Sequence, residues 1–402
     1  MRKITLLLVA LTTLTLSAQD VIQWRGTDRS GIYNETGLLK SWPTGGPALL
    51  WHYEQLGEGH SSIAIANDKI YATGLVDGKG FLFVFDLNGK LLNKKEYGLE
   101  WDTNYNGSRG TPTIDNDKIY IYSGKGGLIC IDANTLNVLW EKNVLDEFQG
   151  SNIRWGVNES PLIMDDKVII TPGGKEHNVV ALNKNTGALI WSCAGEGDLS
   201  AYCSPLYLRD QQVPQIVTMT SKHVLGIDAK TGKQLWSFAY NNSRNIHPNT
   251  PVYSDNCLLC AYGYGKGSIM LKLSDGGRKV EQVWENTEFD PKTGGAVKVG
   301  NYVYASGDNN KYWFCLDWKT GETKYKDNSI AVGAVIAADG MLYCYSDKGE
   351  MALVKATPDK FDIISQFPIT LGTEQHWAHP VIYKGILYVR HGNTLMAYNI
   401  KR

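Results

Sequence analysis

Four histidines, two arginines, two glutamates, an asparagine and two tryptophans recur in small groups along this chain. They are Glu58 and His60, then Arg109, then Arg154, Trp155 and Glu159, then His247 and Asn249, and finally His376, Trp377 and His379; Tyr202 stands alone between the third and fourth groups. Guanidinium groups hold carboxylates and other anions through paired N–H donors, and indole faces accept sugar rings or other flat ligands. A glutamate such as Glu159 with a histidine at hand could serve as acid and base, although sequence spacing alone fixes no distance between them. The alternative is a water-filled mouth whose charges pair with one another. No metal is expected: Cys257 and Cys260 have no second Cys or His pair at zinc spacing, and at that offset a strand sends them to opposite faces. The Asp and Asn clusters, such as Asp115 to Asp117, lack the spaced oxygen series of a calcium loop and read as hairpin turns.

What brings such scattered groups together is a repeat. An eleven-residue phrase, apolar strand, Asp/Asn/Gly turn, then a strand rich in Tyr, Ile and Val, reads SIAIANDKIYA from Ser62, TPTIDNDKIYI from Thr111 and SPLIMDDKVII from Ser160. Further copies begin at Ser204, Thr250, Gly295, Ala334 and His379, so that successive starts lie 39 to 49 residues apart. A second phrase follows most of them, clearest as GIDAKTGKQLW from Gly226 and ALNKNTGALIW from Ala181. Two hairpins per unit make four strands, and the period is that of one propeller blade, roughly 40 to 50 residues.

The prediction is an all-β, eight-bladed β-propeller of four-stranded blades. Its last unit runs out after LMAYNI, one strand short, while an unassigned apolar run ends in Trp51, the place held elsewhere by Trp140, Trp191, Trp236 and Trp284. The N-terminal strand is therefore expected to complete the eighth blade and close the ring. In that geometry the residues just before each copy ring one mouth of the channel, which gathers the groups named above. Gly294, Gly295 and Gly333 are expected to leave room on one side. The recurrent tryptophans are expected to pack between blades rather than bind sugars.

The Asp-x-x-Thr-Gly phrase closed by Trp, in Asp228 to Trp236 and more loosely in Asp132 to Trp140, resembles the repeat named after pyrroloquinoline quinone (PQQ). The likeness covers the chain from residue 19 onward. With Gln23 to Gly26 near its start and Trp377 to Pro380 in its last unit, it is similar to exported bacterial propellers of that type. More distantly it resembles BamB, the propeller lipoprotein of the outer-membrane β-barrel assembly machine, but without the lipobox cysteine. It also resembles the quinoprotein alcohol dehydrogenases. Those enzymes, as the resemblance implies, hold the quinone between a Trp and a pair of adjacent cysteines, with calcium among Glu and Asn ligands and an Asp as base. No two cysteines are adjacent here. The expectation is a ligand-binding or protein-interaction scaffold without quinone or metal. A PQQ- and calcium-dependent alcohol or sugar dehydrogenase is the alternative, and a carbohydrate-active propeller enzyme the next.

Residues 1–18 have the form of a cleaved signal peptide: Arg2 and Lys3, an apolar run from Ile4 to Leu16, and Ala18 before a polar start. With the first cysteine at Cys130, lipid attachment at the cleavage point is not expected, and the chain is placed in the periplasm or outside the cell. A net charge of -1 and a pI near 6.7 offer no field for nucleic acid, and no later run suits membrane insertion. The expected partner is a small anionic or carbohydrate ligand, or a periplasmic or outer-membrane protein. Of seven cysteines, Cys130, Cys260, Cys315 and Cys344 align with small core residues. Whether Cys193 and Cys203 form a bridge is left open.

Overall fold

The structure, a computed structural model, describes residues 19–402; the signal-peptide reading of residues 1–18 lies outside them. Eight antiparallel sheets follow one another around a ring. The first holds strands Ala64–Ala66, Lys69–Val76, Lys79–Asp86 and Leu91–Leu99, and six more repeat that order from innermost to outermost strand. The eighth takes Val381–Tyr383, Ile386–His391 and Thr394–Asn399 from the C-terminus and Ala48–Tyr53 from the N-terminus as its outermost strand. The expected closure is thus present, with Trp51 opposite Ala397.

The Thr-Gly phrase works the same way wherever it occurs. Asp132, Asp228 and Asp317 each accept the backbone N–H groups two and three residues on, which sets the turn. The glycine that follows in the full form takes a positive φ, and its missing side chain leaves a face for the indole of the preceding blade. Trp191 lies on Gly232 and donates to the Ala229 carbonyl, Trp284 lies on Gly321 and donates to Trp318, and Trp140 lies on Gly187 and donates to Lys184. Trp51 repeats the contact across the ring's seam, on Gly89 and the Leu87 carbonyl. Trp236 departs from the pattern: the fifth blade has no Thr-Gly turn, and this indole bonds Gln215 within its own blade at 2.8 Å.

The core consists of apolar clusters between neighbouring blades, one of which spans blades 7, 8 and 1 and includes Leu38 and Trp42 from the N-terminal segment. Cys130, Cys260, Cys315 and Cys344 are fully buried in such clusters, as expected. Cys193 and Cys203 are free thiols in two different clusters.

The repeat did not foretell the course of residues 21–33. Val21 bridges Ile65 of blade 1, the Ile22 carbonyl accepts from Ile114 of blade 2, and Ile32–Tyr33 adds a parallel fifth strand to Gly333–Ala338 of blade 7. Between these contacts a short turn, Thr27–Arg29, buries two guanidinium groups. Arg29 donates to the carbonyls of Ser160 and Pro161, and Arg25 to those of Ala296 and Val335 and to Nδ1 of His379. The segment therefore plugs the channel, satisfying inner-strand carbonyls that would otherwise face the axis unpaired.

Candidate functional site

The connections between blades gather on one face of the plug and enclose a cavity of about 370 Å³. His60, Arg109, Arg154, Trp155, Trp377 and His379 line it, with Tyr202, as the repeat geometry anticipated. Trp24, Tyr105, Tyr264, Arg244 and Lys292 join them. The floor is Trp24, set edge-on to His379 with ring centres 5.2 Å apart.

Buried polar groups after the outermost strands hold these loops. Glu100 accepts from the N–H groups of Trp101 and Gly124 and from the Tyr97 hydroxyl, which fixes the start of the Arg109 loop. Asn242 accepts from the N–H of Arg244 and donates to the Tyr262 carbonyl, pinning the Arg244 loop to blade 5. Asp290 accepts from Gly265, Asp308 and Asn309 below Lys292.

The electrostatics of the wall are one-sided. Arg154 lies over the Trp155 ring at 5.0 Å, and the backbone N–H of Trp155 donates to the Tyr202 hydroxyl. Burial pushes Arg109 down to about 10, and its Nε is buried without a partner. Among the described residues only Lys292 of the four cations has an acidic partner, Asp308 at 2.8 Å, and no carboxylate lines the cavity. The histidines add no charge. His379 donates from Nε2 to the Thr293 carbonyl and accepts Arg25 at Nδ1, which fixes its neutral tautomer; burial, then Arg25, push it down to about 3. His60, 5.1 Å from Trp377, has both ring nitrogens buried and unpartnered, and burial with Arg109 and Arg390 lowers it to about 3.

Five of the anticipated residues turn elsewhere. Glu58 accepts from the Thr373 hydroxyl at 2.8 and 2.9 Å, tying blade 1 to the last connection. Glu159 is 1% exposed, accepts the Thr171 N–H at 2.6 Å, and is pushed by burial up to about 8; it packs between blades and does not reach the cavity as an acid or base. His247 is sealed against Tyr262 and bonds the Ser221 carbonyl. Asn249 joins blade 5 to blade 6 through Pro291 and Gly295. His376 hydrogen-bonds the Tyr345 hydroxyl through Nδ1 at 2.6 Å, stacks on His391, and faces a smaller annex of about 120 Å³. The glycines anticipated to leave room divide likewise. Gly333 borders the annex, but a side chain on Gly295 would strike the Arg25 guanidinium, so that space belongs to the plug.

Residues 48–158 and 146–358 match the family model described as outer membrane protein assembly factor BamB. The chain belongs to this BamB family. BamB from Moraxella catarrhalis superposes with a TM-score of 0.66 at 15% identity, covering 88% of this chain and 99% of that one. Quinohemoprotein alcohol dehydrogenase from Comamonas testosteroni gives 0.71 at 10% identity, covering 95% and 80%; at these identities the likeness is one of fold. In sequence, this BamB-family chain is 25% identical over 264 residues to the dehydrogenase subunit of the quinone alcohol dehydrogenase of Gluconobacter oxydans (strain 621H), spanning 62% of its own length and 32% of that relative's. The quinone in that relative's name, and the calcium that the family resemblance implies, can be tested against the cavity. A wall with four cations and no carboxylate does not suit calcium, and none of the seven cysteines lines it.

Proposed function

We propose that this BamB-family propeller is an exported binding module whose central cavity holds a small anion bearing a ring, with a sugar acid such as glucuronate as the model ligand. The observation that carries the reading is the union of Arg109, Arg154 and Arg244 with six aromatic rings in a cavity without a carboxylate. Guanidinium groups with no ion pair among the described residues favour an anion, although Arg109 also donates to the Tyr105 carbonyl, and the Trp and Tyr faces favour a ring beside it. The neutral His60 adds buried nitrogens that a ligand hydroxyl would satisfy. Export is proposed from the N-terminal signal-like run.

Arg154 is the cleanest probe because it is exposed and makes no ion pair among the described residues. Arg154→Ala is expected to leave stability within about 0.5 kcal/mol. It is expected to weaken glucuronate by roughly 1.5 to 3 kcal/mol, the span for hydrogen bonds to charged groups. Calorimetric titration of both proteins reads this directly, and equal affinities would overturn the proposal.

A protein-interaction role is the second reading, favoured by the family match and by exposed apolar pairs on outermost strands, Leu49 with Leu50, Val138 with Leu139 and Leu189 with Ile190. A partner whose capture is indifferent to Arg154→Ala would support it. Because the cavity does not suit calcium, protein supplied with PQQ and calcium is expected to show no alcohol-dependent dye reduction; turnover with any alcohol would move the dehydrogenase reading to first place.

A further inference from the structure

The annex adjoins the central cavity. Lys292, Thr293 and Trp377 line both, so the two lie side by side as lobes that meet at these residues. The lobes differ in chemistry. The central lobe offers guanidinium groups and no carboxylate, whereas the annex wall mixes the carboxylates of Asp308 and Asp347 with the amines of Lys292 and Lys311, both of which pair with Asp308. Asp347 uses its backbone N–H on the Val332 carbonyl, and among the described residues its carboxylate has no partner. His376 is held through Nδ1 at the Tyr345 hydroxyl. The Ser306 hydroxyl is engaged at the Gly333 backbone and adds no competing group.

With both lysines paired to Asp308, the carboxylate of Asp347 is free; on a wall shared with an indole it suits the hydroxyls of an uncharged sugar ring and disfavours a second acid beside it. We propose that the annex is a subsite for a neutral sugar, so that the molecule's ligand is an acidic disaccharide: a uronate in the arginine lobe, linked past Trp377 to a neutral ring held by Asp347. The inference rests on the proposed function above, since it assigns the uronate to the same arginine lobe.

The test compares three compounds: glucuronate, cellobiouronic acid, in which glucuronate is joined to glucose, and a diglucuronate of the same linkage. Cellobiouronic acid is expected to bind at least tenfold more tightly than glucuronate, while diglucuronate gains nothing from its second, charged ring. In Asp347→Ala, and in the isosteric Asp347→Asn should the alanine variant misfold, the tenfold advantage over glucuronate is expected to shrink to less than threefold. A disaccharide no tighter than glucuronate, an advantage that survives in the Asp347 variants, or a diglucuronate equal to cellobiouronic acid would overturn the annex assignment and leave the arginine lobe standing. If neither glucuronate nor cellobiouronic acid binds, the reading of the central cavity fails and takes the annex with it.

Discussion

A chain lacking residues 19–53 is expected to lose its cooperative unfolding transition altogether. The deletion removes the outermost strand of blade 8, Ala48–Tyr53, and with it the contact of Trp51 with Gly89 and Leu87 that repeats the inter-blade contact of Trp140, Trp191 and Trp284. It also takes Leu38 and Trp42 out of the cluster spanning blades 7, 8 and 1. Losing a large buried side chain costs about 2 to 5 kcal/mol, so losing several exceeds the roughly 5 to 15 kcal/mol that holds a typical domain together. The newly exposed strand Thr394–Asn399 becomes an unprotected edge. Calorimetry and tryptophan fluorescence on the truncated chain check this, and an unchanged melting transition would sink the closure argument. Arg25→Met separates the plug from the latch. It leaves the carbonyls of Ala296 and Val335 without their donor, at about 1 to 3 kcal/mol for each buried group. That variant is expected to melt earlier but still in one transition.

How much of this was legible in the chain depends on whether a feature repeats. The blades, the seam at Trp51 and the packing role of the tryptophans follow from phrases that recur with the same internal offsets, because each copy solves the same local problem of turning a strand and docking on its neighbour. The site is built from loops, which have no period. Ser160 and Asn158 face the cavity while Glu159 between them turns into the blade interface, and Pro248 faces it while His247 and Asn249 do not. Nothing in the residue types distinguishes those neighbours. The anchors Glu100, Asn242 and Asp290 escaped notice because they follow their strands at unequal distances, so no ungapped alignment brings them into register. The plug was visible as the segment Gln23 to Gly26 but not as a plug, since its partners lie in blades far away along the chain. Two-residue pairing such as Ile32–Tyr33 is too short to show alternation.

The same buried groups make stability depend on pH in two opposed limbs. In the unfolded chain a histidine takes up a proton near its ordinary value of about 6.5. Within the fold burial pushes His247 down to about 4, and burial with Arg25 pushes His379 down to about 3. Between those values the unfolded chain holds more protons, so stability is full above pH 6.5 and falls as pH drops through that window. Each withheld proton is worth about 1.4 kcal/mol per pH unit, so the two histidines together withdraw on the order of 4 kcal/mol by pH 5. His60 and His376 shift in the same direction.

Glu159 runs the other way. Burial raises its carboxyl to about 8, so the folded chain keeps a proton that the unfolded chain has released, and stability declines from the ordinary carboxyl range up to pH 8. Burial shifts Glu100 and Asp290 in the same sense. Urea unfolding of the parent is expected to give a lower stability at pH 5 than at pH 6.5, because over that interval the histidine limb outweighs the roughly 2 kcal/mol that Glu159 withdraws. Glu159→Gln removes one descending contribution, and relative to the parent it is expected to gain about 1.4 kcal/mol for each pH unit between 5 and 8. A parent equally stable at pH 5 and 6.5 would remove the histidine limb. A Gln variant whose profile runs parallel to the parent's would show that Glu159 is ionised in the fold, and that Arg29, the cation beside it, outweighs burial.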